Sequence, residues 1–259
     1  MHQLTPDHAA ECVPRGEENA RVASRRSFLR GIPVVTAAAV AAPALQAAPT
    51  ARHHWAMLVD VRKCIGCQAC TVACIQENVV PEGSFRTIVS TYSVKLTDAP
   101  ARQPAGTYVL PRLCNHCENP PCIPVCPVGA TYKRPDGIVV VNSDRCVGCA
   151  YCVQACPYDA RFINHDTNKA DKCTFCVHRV EAGLLPACVE TCVGGARMFG
   201  DLNDAHGELR RTLDANRDRL KVLKPEMETH PQVFYIGLDE RFEGKVEGEG
   251  TLWKPRAHA

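Results

Sequence analysis

The run CVGCAYCVQACP, Cys146 to Pro157, spaces four cysteines as C-x2-C-x2-C-x3-C and follows the last with proline. The same theme recurs along the chain. Of the 17 cysteines in 259 residues, all but Cys12 fall into groups of four. Group I is Cys64, Cys67, Cys70 and Cys74, within KCIGCQACTVAC. Group II is Cys114, Cys117, Cys122 and Cys126, with Pro127 after it. Group III is the opening run, Cys146, Cys149, Cys152 and Cys156, and group IV is Cys173, Cys176, Cys188 and Cys192.

Cysteine usage this dense means disulfides, zinc or iron–sulfur clusters. Disulfides staple small secreted domains that lack a core, whereas this chain is 46% hydrophobic and long enough to bury one or two cores unaided. Zinc sites take pairs of C-x2-C and need neither a third cysteine two residues on nor an x3-C-P tail. Group III matches the bacterial ferredoxin run, whose fourth cysteine ligates the other cluster of a pair. A cubane presents several iron corners to one short loop. Two-residue turns let Cys64, Cys67 and Cys70 wrap three corners, and Cys74 lies about one helical turn beyond Cys70.

The groups must therefore exchange fourth ligands in pairs, and four groups allow several pairings. Groups II and III are joined by short strands expected at Thr131–Arg134 and Ile138–Val141 around a Pro135-Asp136-Gly137 turn. Groups I and IV flank that unit, with strands expected at Trp55–Val61 and Ala196–Leu202. The expected fold is α+β: two interleaved bacterial-ferredoxin-like units, II with III inserted inside I with IV. Further strands are expected near Thr87–Lys95 and up to Leu110. A helix through Ala205, Leu209, Leu213 and Leu220, ended by Pro225, and a strand in QVFYIGL complete the expected elements.

The stretches CNHCENPPCIPVCPVGATY, DGIVVV, CVGCAYCVQACPYDARFIN and ADKCTFCVHR resemble the four-cluster electron-transfer (beta) subunits of molybdopterin oxidoreductases. That group contains the dimethyl sulfoxide, polysulfide, thiosulfate and tetrathionate reductases. The resemblance spans about Trp55 to Leu202. RKCIGCQACTVAC, EGSFRTIVSTY, VHRVEAGLLPACVETCVGGAR and KVLKPEMETHPQVFYIGLD are most similar to the tetrathionate branch; a thiosulfate or polysulfide reductase is the alternative.

The resemblance implies four [4Fe–4S] clusters. Cys64, Cys67, Cys70 and Cys192 would hold the first, and Cys74, Cys173, Cys176 and Cys188 the second. Cys114, Cys117, Cys122 and Cys156 would hold the third, and Cys126, Cys146, Cys149 and Cys152 the fourth. It also implies two partners, an integral membrane subunit that oxidises quinol and a molybdopterin catalytic subunit that reduces tetrathionate to thiosulfate. The chain itself is expected to be a wire with no active site, since it shows no nucleophile–base pairing, phosphate loop or G-x-G-x-x-G. Two departures stand out. Val193 follows Cys192 where many relatives have proline, and Cys149 is present where some relatives lose that ligand and hold a three-iron cluster.

At the front, SRRSFLRG (Ser24 to Gly31) precedes the apolar IPVVTAAAVAAPALQAA, which reads as a secretory signal of twin-arginine type over residues 1–47. Pro33 and Pro43 interrupt the apolar run, so it falls short of the ~20 residues of a spanning helix. Cleavage is expected after Ala44, Ala47 or nearby, and Cys12 would be discarded with the leader. The expected location is periplasmic, held at the inner membrane by the complex. The remaining organisation is expected as 52–111 and 169–202 for the outer unit with an insertion, 112–168 for the inner unit and 203–259 for a partner-contacting tail. Net charge is +2, and residues 1–47 carry five basic and four acidic side chains, so the mature chain is near neutral and unsuited to nucleic acid.

His116 and His178 lie within or beside cysteine groups, but all sixteen thiol positions are filled, which leaves them supporting or surface roles. Lys63, Arg145 and Lys172 each precede the first cysteine of a group and either offset cluster charge or face water. Two other classes compete with a wire. A self-contained iron–sulfur enzyme would need an open iron corner, and a zinc-clamped assembly module would show zinc on metal analysis.

Overall fold

The computed structural model describes residues 53–94, 106–238 and 246–251. The leader expected over 1–47 lies outside the described residues. The sheet that organises the rest is built on β1 (Trp55–Asp60), the middle strand of three. It runs antiparallel to β8 (Arg197–Asp201), with Met57 opposite Phe199, and parallel to β9 (Val233–Ile236), with Met57 opposite Val233. Its continuous apolar run follows from burial on both faces. Side chains alternate along a strand. Met57 and Val59 accordingly join Val233, Tyr235 and Phe175 in the core that also holds Cys70, Cys114, Cys173 and Cys188. Ala56 and Leu58 point the other way, onto Leu209 and Leu213. Those two leucines, one turn apart, belong to a helix at Glu208–Ala215, shorter than the 205–220 expected because a 3-10 turn follows at Arg217–Arg219.

A second sheet contains β2 (Thr87–Val94), flanked by β3 (Gly106–Leu113) and β10 (Val246–Thr251). Two hairpins complete the strands. The first is β4 (Thr131–Lys133) with β5 (Val139–Val141), closed by the anticipated Pro-Asp-Gly turn, in which Gly137 has φ +85° and the Ile138 amide donates to Asp136 Oδ1 at 3.2 Å. The second, β6 (Arg161–Asn164) with β7 (Lys169–Lys172), is not anticipated by the sequence pattern. The Asn164 side chain closes its turn by accepting from the amides of Asp166 and Thr167.

The helices are short and tied to the cysteines. In chain order they are α1 (Ala69–Asn78), α2 (Tyr151–Gln154), α3 (Val177–Glu181), α4 (Ala187–Glu190) and α5, the Glu208–Ala215 helix. Groups I and III repeat one local geometry. Gly66 and Gly148 both sit at φ +72°, and Gln68 and Ala150, each just after the second cysteine, are left-handed at φ 62° and 64°. Each kink turns the chain into the helix that carries the third cysteine, Cys70 on α1 and Cys152 on α2. Left-handed backbone costs a non-glycine residue about 1 kcal/mol or more, so its recurrence marks a geometry imposed by the loop. Among the described residues no helix is long and apolar enough to cross a membrane.

Candidate metal centres

The fold draws cysteines from distant groups into common cavities. Cys64, Cys67 and Cys70 line one cavity together with Cys192. A second is lined by Cys114, Cys117 and Cys122 with Cys156, and a third by Cys146, Cys149 and Cys152 with Cys126. The other four thiols are also neighbours: Cys173 and Cys188 pack in one core, and Cys74, Cys188 and Cys176 all bear electrostatically on Cys173. Asn78, one turn beyond Cys74 on α1, sets its side-chain amide 3.6 Å from the sulfurs of both Cys74 and Cys176. Among the described residues no three His, Cys, Asp or Glu side chains close on a single ion. A tetrahedral zinc site needs its sulfurs about 2.3 Å from one point. Here three of the four thiol sets line a cavity of their own.

The surroundings of the sulfurs suit thiolates bound to such a cofactor. Burial pushes the thiols of Cys74 and Cys117 up to about 12 and that of Cys188 to about 11, so an empty pocket favours the neutral form. Iron must displace those protons on binding. Slight burial also acts against the Cys126 thiolate, yet the amides of Thr131, Val128, Ala130 and Gly129 hold the group below the usual thiol range. The Ala130 amide donates to Cys126 Sγ at 3.2 Å, and the Ala196 amide donates to Cys192 Sγ at the same distance. Weaker contacts of this type run from Ala170 to Cys146 and from Phe175 to Cys173, both at 3.4 Å. Hydrogen bonds to cluster sulfurs are one of the protein's means of setting potential. Two cavity-lining side chains also carry buried polar atoms with no protein partner: the Asn115 amide and Arg197 Nη1.

Of the three basic residues singled out in the sequence, only Lys172 is buried; Lys63 and Arg145 are exposed. The Lys172 ammonium donates to the carbonyls of Val139 and Cys173, and its charge acts on Cys114 and Cys173. Sequence reasoning missed two more buried cations, Arg161 and Arg197. The available signal was a repeated spacing, since each lies five residues after the last cysteine of its group, Cys156 or Cys192. His116 is buried, stacks on Phe175 with ring centroids 3.7 Å apart, and accepts the Val139 amide on Nδ1 at 3.1 Å. Burial above all, then the charges of Lys172 and Arg161, hold its pKa well below the usual histidine range, so it is neutral. His178 is on the surface, 2.8 Å from Glu77.

Two family models match, each described as a 4Fe-4S dicluster domain, over residues 63–130 and 105–202. They overlap and so mark no domain boundary. The tetrathionate reductase B component of Salmonella typhimurium is 57% identical, across 89% of this chain and 96% of its own. The polysulfide reductase B component of Wolinella succinogenes is 40% identical, across 70% of this chain and 93% of its own. The thiosulfate reductase electron transfer subunit of Salmonella typhi is 45% identical, across 59% of this chain and 79% of its own. The fold and its thiol-lined spaces are those of a [4Fe–4S] protein of mixed α and β structure. This chain thus belongs to the family of iron–sulfur electron-transfer subunits of reductase complexes.

Proposed function

We propose that this chain is the electron relay of a tetrathionate reductase, taking electrons from a quinol-oxidising membrane subunit and delivering them to a molybdopterin catalytic subunit. In this reading it holds four [4Fe–4S] clusters. The first set of ligands is Cys64, Cys67, Cys70 and Cys192; the second is Cys74, Cys173, Cys176 and Cys188. The third is Cys114, Cys117, Cys122 and Cys156; the fourth is Cys126, Cys146, Cys149 and Cys152. When bound, each cluster takes up and returns one electron, and the protein supplies spacing, burial and hydrogen bonds.

The observation that carries the reading is the serial order of the thiol sets. Cys70 of the first set, Cys173 and Cys188 of the second and Cys114 of the third pack in one core, and Cys122 of the third packs in another with Cys146 and Cys152 of the fourth. Arg161 faces both Cys122 of the third set and Cys152 of the fourth. Only the end sets contain an exposed thiol, Cys67 in the first and Cys149 in the fourth. A row of four sites that reaches the surface at each end suits entry and exit through two partners. Exposed Ile65 and Val193 beside the first set, and exposed Val147 and Tyr151 beside the fourth, give each end an apolar rim of the type that protein contacts bury. The pairing of β1 with β8 across the whole inner segment supports one ferredoxin-like unit (112–168) inserted within another (52–111 with 169–202). The tetrathionate assignment rests on the 57% identity to the Salmonella typhimurium protein. We assign the chain to the periplasm, exported by the twin-arginine route on the strength of SRRSFLRG.

The test is the anaerobically purified complex. It should contain about 16 iron and about 16 acid-labile sulfides per copy of this chain, from four cubanes. After reduction with dithionite and removal of the excess, tetrathionate should reoxidise the clusters. Substantial zinc with little iron would overturn the cluster reading. Reoxidation by polysulfide or thiosulfate but not tetrathionate would reassign the complex.

A further inference from the structure

Two buried arginines stand between thiol sets in equivalent places. Arg161 opens β6 and is 4% exposed; it lines the cavity of Cys114, Cys117, Cys122 and Cys156. Its Nη2 donates to Cys122 Sγ at 3.0 Å and its Nη1 to Thr131 Oγ1 at 3.3 Å, while its charge also acts on Cys152 of the fourth set. Arg197 opens β8 and is 5% exposed; it lines the cavity of Cys64, Cys67, Cys70 and Cys192. Its Nη2 donates to Thr87 Oγ1 at 2.9 Å, and its charge acts on Cys70 of the first set and Cys188 of the second.

The two residues repeat each other in detail. Both follow the last cysteine of a group by five positions, in CPYDAR and CVGGAR, and both begin a strand. Each is steadied by the hydroxyl of a threonine that begins another strand, Thr131 of β4 and Thr87 of β2. Among the described residues neither has a carboxylate partner. A guanidinium buried without one is costly unless an anion is brought to it. Thiolates bound to an anionic cluster are such an anion, and Arg197 Nη1, buried and without a protein acceptor, is a donor left over for it. The gap between the second and third sets holds Lys172 instead.

We propose that Arg161 and Arg197 set the reduction potentials of the clusters in pairs, Arg197 raising the first and second and Arg161 the third and fourth. The proposal rests on the four-cluster reading above. Each reduction adds one electron to an already anionic site, so a fixed positive charge beside it favours the reduced form and raises the potential. An arginine keeps its charge at any working pH, which makes this a permanent setting. Placing one cation between two sites shifts both in the same direction.

The experiment is a redox titration of the anaerobically purified complex, followed by electron paramagnetic resonance, for the parent and for Arg197→Gln, Arg197→Lys, Arg161→Gln and Arg161→Lys. Iron content is measured alongside. A parent with fewer than four titrating clusters would strike the four-cluster reading and is seen before any variant is compared. Arg197→Gln should lower the first and second potentials by a tenfold change in the reduction equilibrium or more, about 59 mV for one electron. It should leave the third and fourth in place. Arg161→Gln should do the converse, and each lysine variant, which keeps the charge, should stay near the parent. Unmoved potentials in a glutamine variant with full iron would overturn the proposal, as would an equal shift of all four. If a glutamine variant loses iron, its lysine counterpart decides: parent-like potentials support the role, and lowered ones refute it.

Discussion

The carbonyl oxygen of Asn168 sits where the side chain of residue 148 would begin: a Cβ on Gly148 would lie 2.3 Å from it. Gly148 belongs to the group III loop, and Asn168 to the turn between β6 and β7, so the hairpin is packed directly onto the loop that carries Cys146, Cys149 and Cys152. Gly148 also has φ +72°, where any other residue is strained. Gly148→Ala should therefore displace one segment or the other and reduce iron by about a quarter, the share of one cubane in the four proposed. Gly83→Ala separates the two causes, because Gly83 has φ +76° with nothing within 4 Å of a Cβ. It should keep all its iron and lose only about 1 kcal/mol of stability from the backbone conformation. Full iron in Gly148→Ala would show that the loop tolerates the shift.

A second prediction concerns the far end of the main sheet. Asp201, the last residue of β8, accepts the amides of His54 at 2.7 Å and Asn203 at 2.9 Å, and lies 2.7 Å from His53 Nδ1. Partial burial pushes its pKa up, but the hydrogen bonds from His54, Asn203 and His53 outweigh that and hold it below the usual 3.8. A carboxyl depressed in the folded state contributes stability above its unfolded pKa, lost only as pH falls through the folded value. The contribution is thus complete throughout neutral pH. Asp201→Ala should cost about 2 kcal/mol, the scale of hydrogen bonds to a charged acceptor. The cost should be the same at pH 8 and pH 9, well above any carboxyl titration, in anaerobic urea titrations followed by circular dichroism. A cost that halves between those pH values would point to a different titrating group.

What the sequence revealed and what it hid divide along a physical line. Cysteine spacing is a local constraint with a rigid object behind it, and the strands beside the groups followed from short apolar runs. Trp55–Val61 appears as Trp55–Asp60, and Ile138–Val141 as Val139–Val141. The β6–β7 hairpin was hidden because RFIN and KADK mix charged and apolar residues without clean alternation. Phe162 and Ile163 are adjacent, and Lys172, ordinarily a surface residue, is buried to 1%. The parallel pairing of β9 with β1 was equally hidden, since QVFYIGL reads as a strand but nothing local selects its neighbour. Arg161 and Arg197 look like surface cations until the fold encloses them; only the recurring five-residue spacing from a cysteine distinguished them.

The third prediction addresses export. If the paired arginines of SRRSFLRG are the recognition feature, Arg25→Lys with Arg26→Lys should retain the protein in the cytoplasm. Lysine preserves charge but lacks the planar guanidinium fork, so the substitution isolates recognition from charge. Retained protein should contain its full iron, because a route that carries folded proteins requires cluster insertion before transport. Fractionation with iron analysis of each compartment measures both. Undiminished periplasmic protein in the double variant would show that another signal, or a partner's, directs export.

The last prediction concerns which thiols belong together. Cys74 is four residues from Cys70 on α1, yet it shares the Asn78 amide with Cys176 and is coupled electrostatically to Cys188 and Cys173, while Cys192 shares a cavity with Cys64, Cys67 and Cys70. The helix accounts for the divergence: side chains four apart lie on one face but about 6 Å apart along the axis, which lets Cys70 and Cys74 serve successive sites. Cys74→Ser should therefore perturb the cluster of Cys173, Cys176 and Cys188 and spare that of Cys64, Cys67 and Cys70. Cys192→Ser should do the reverse. A serine oxygen is a harder ligand than thiolate, so the altered site should change potential or lose an iron. Redox titrations of both variants, with Cys64→Ser and Cys173→Ser as references for the two clusters, distinguish the schemes. If Cys74→Ser and Cys64→Ser altered the same cluster, each group would bind its own cubane and the exchange of ligands between outer segments would be refuted.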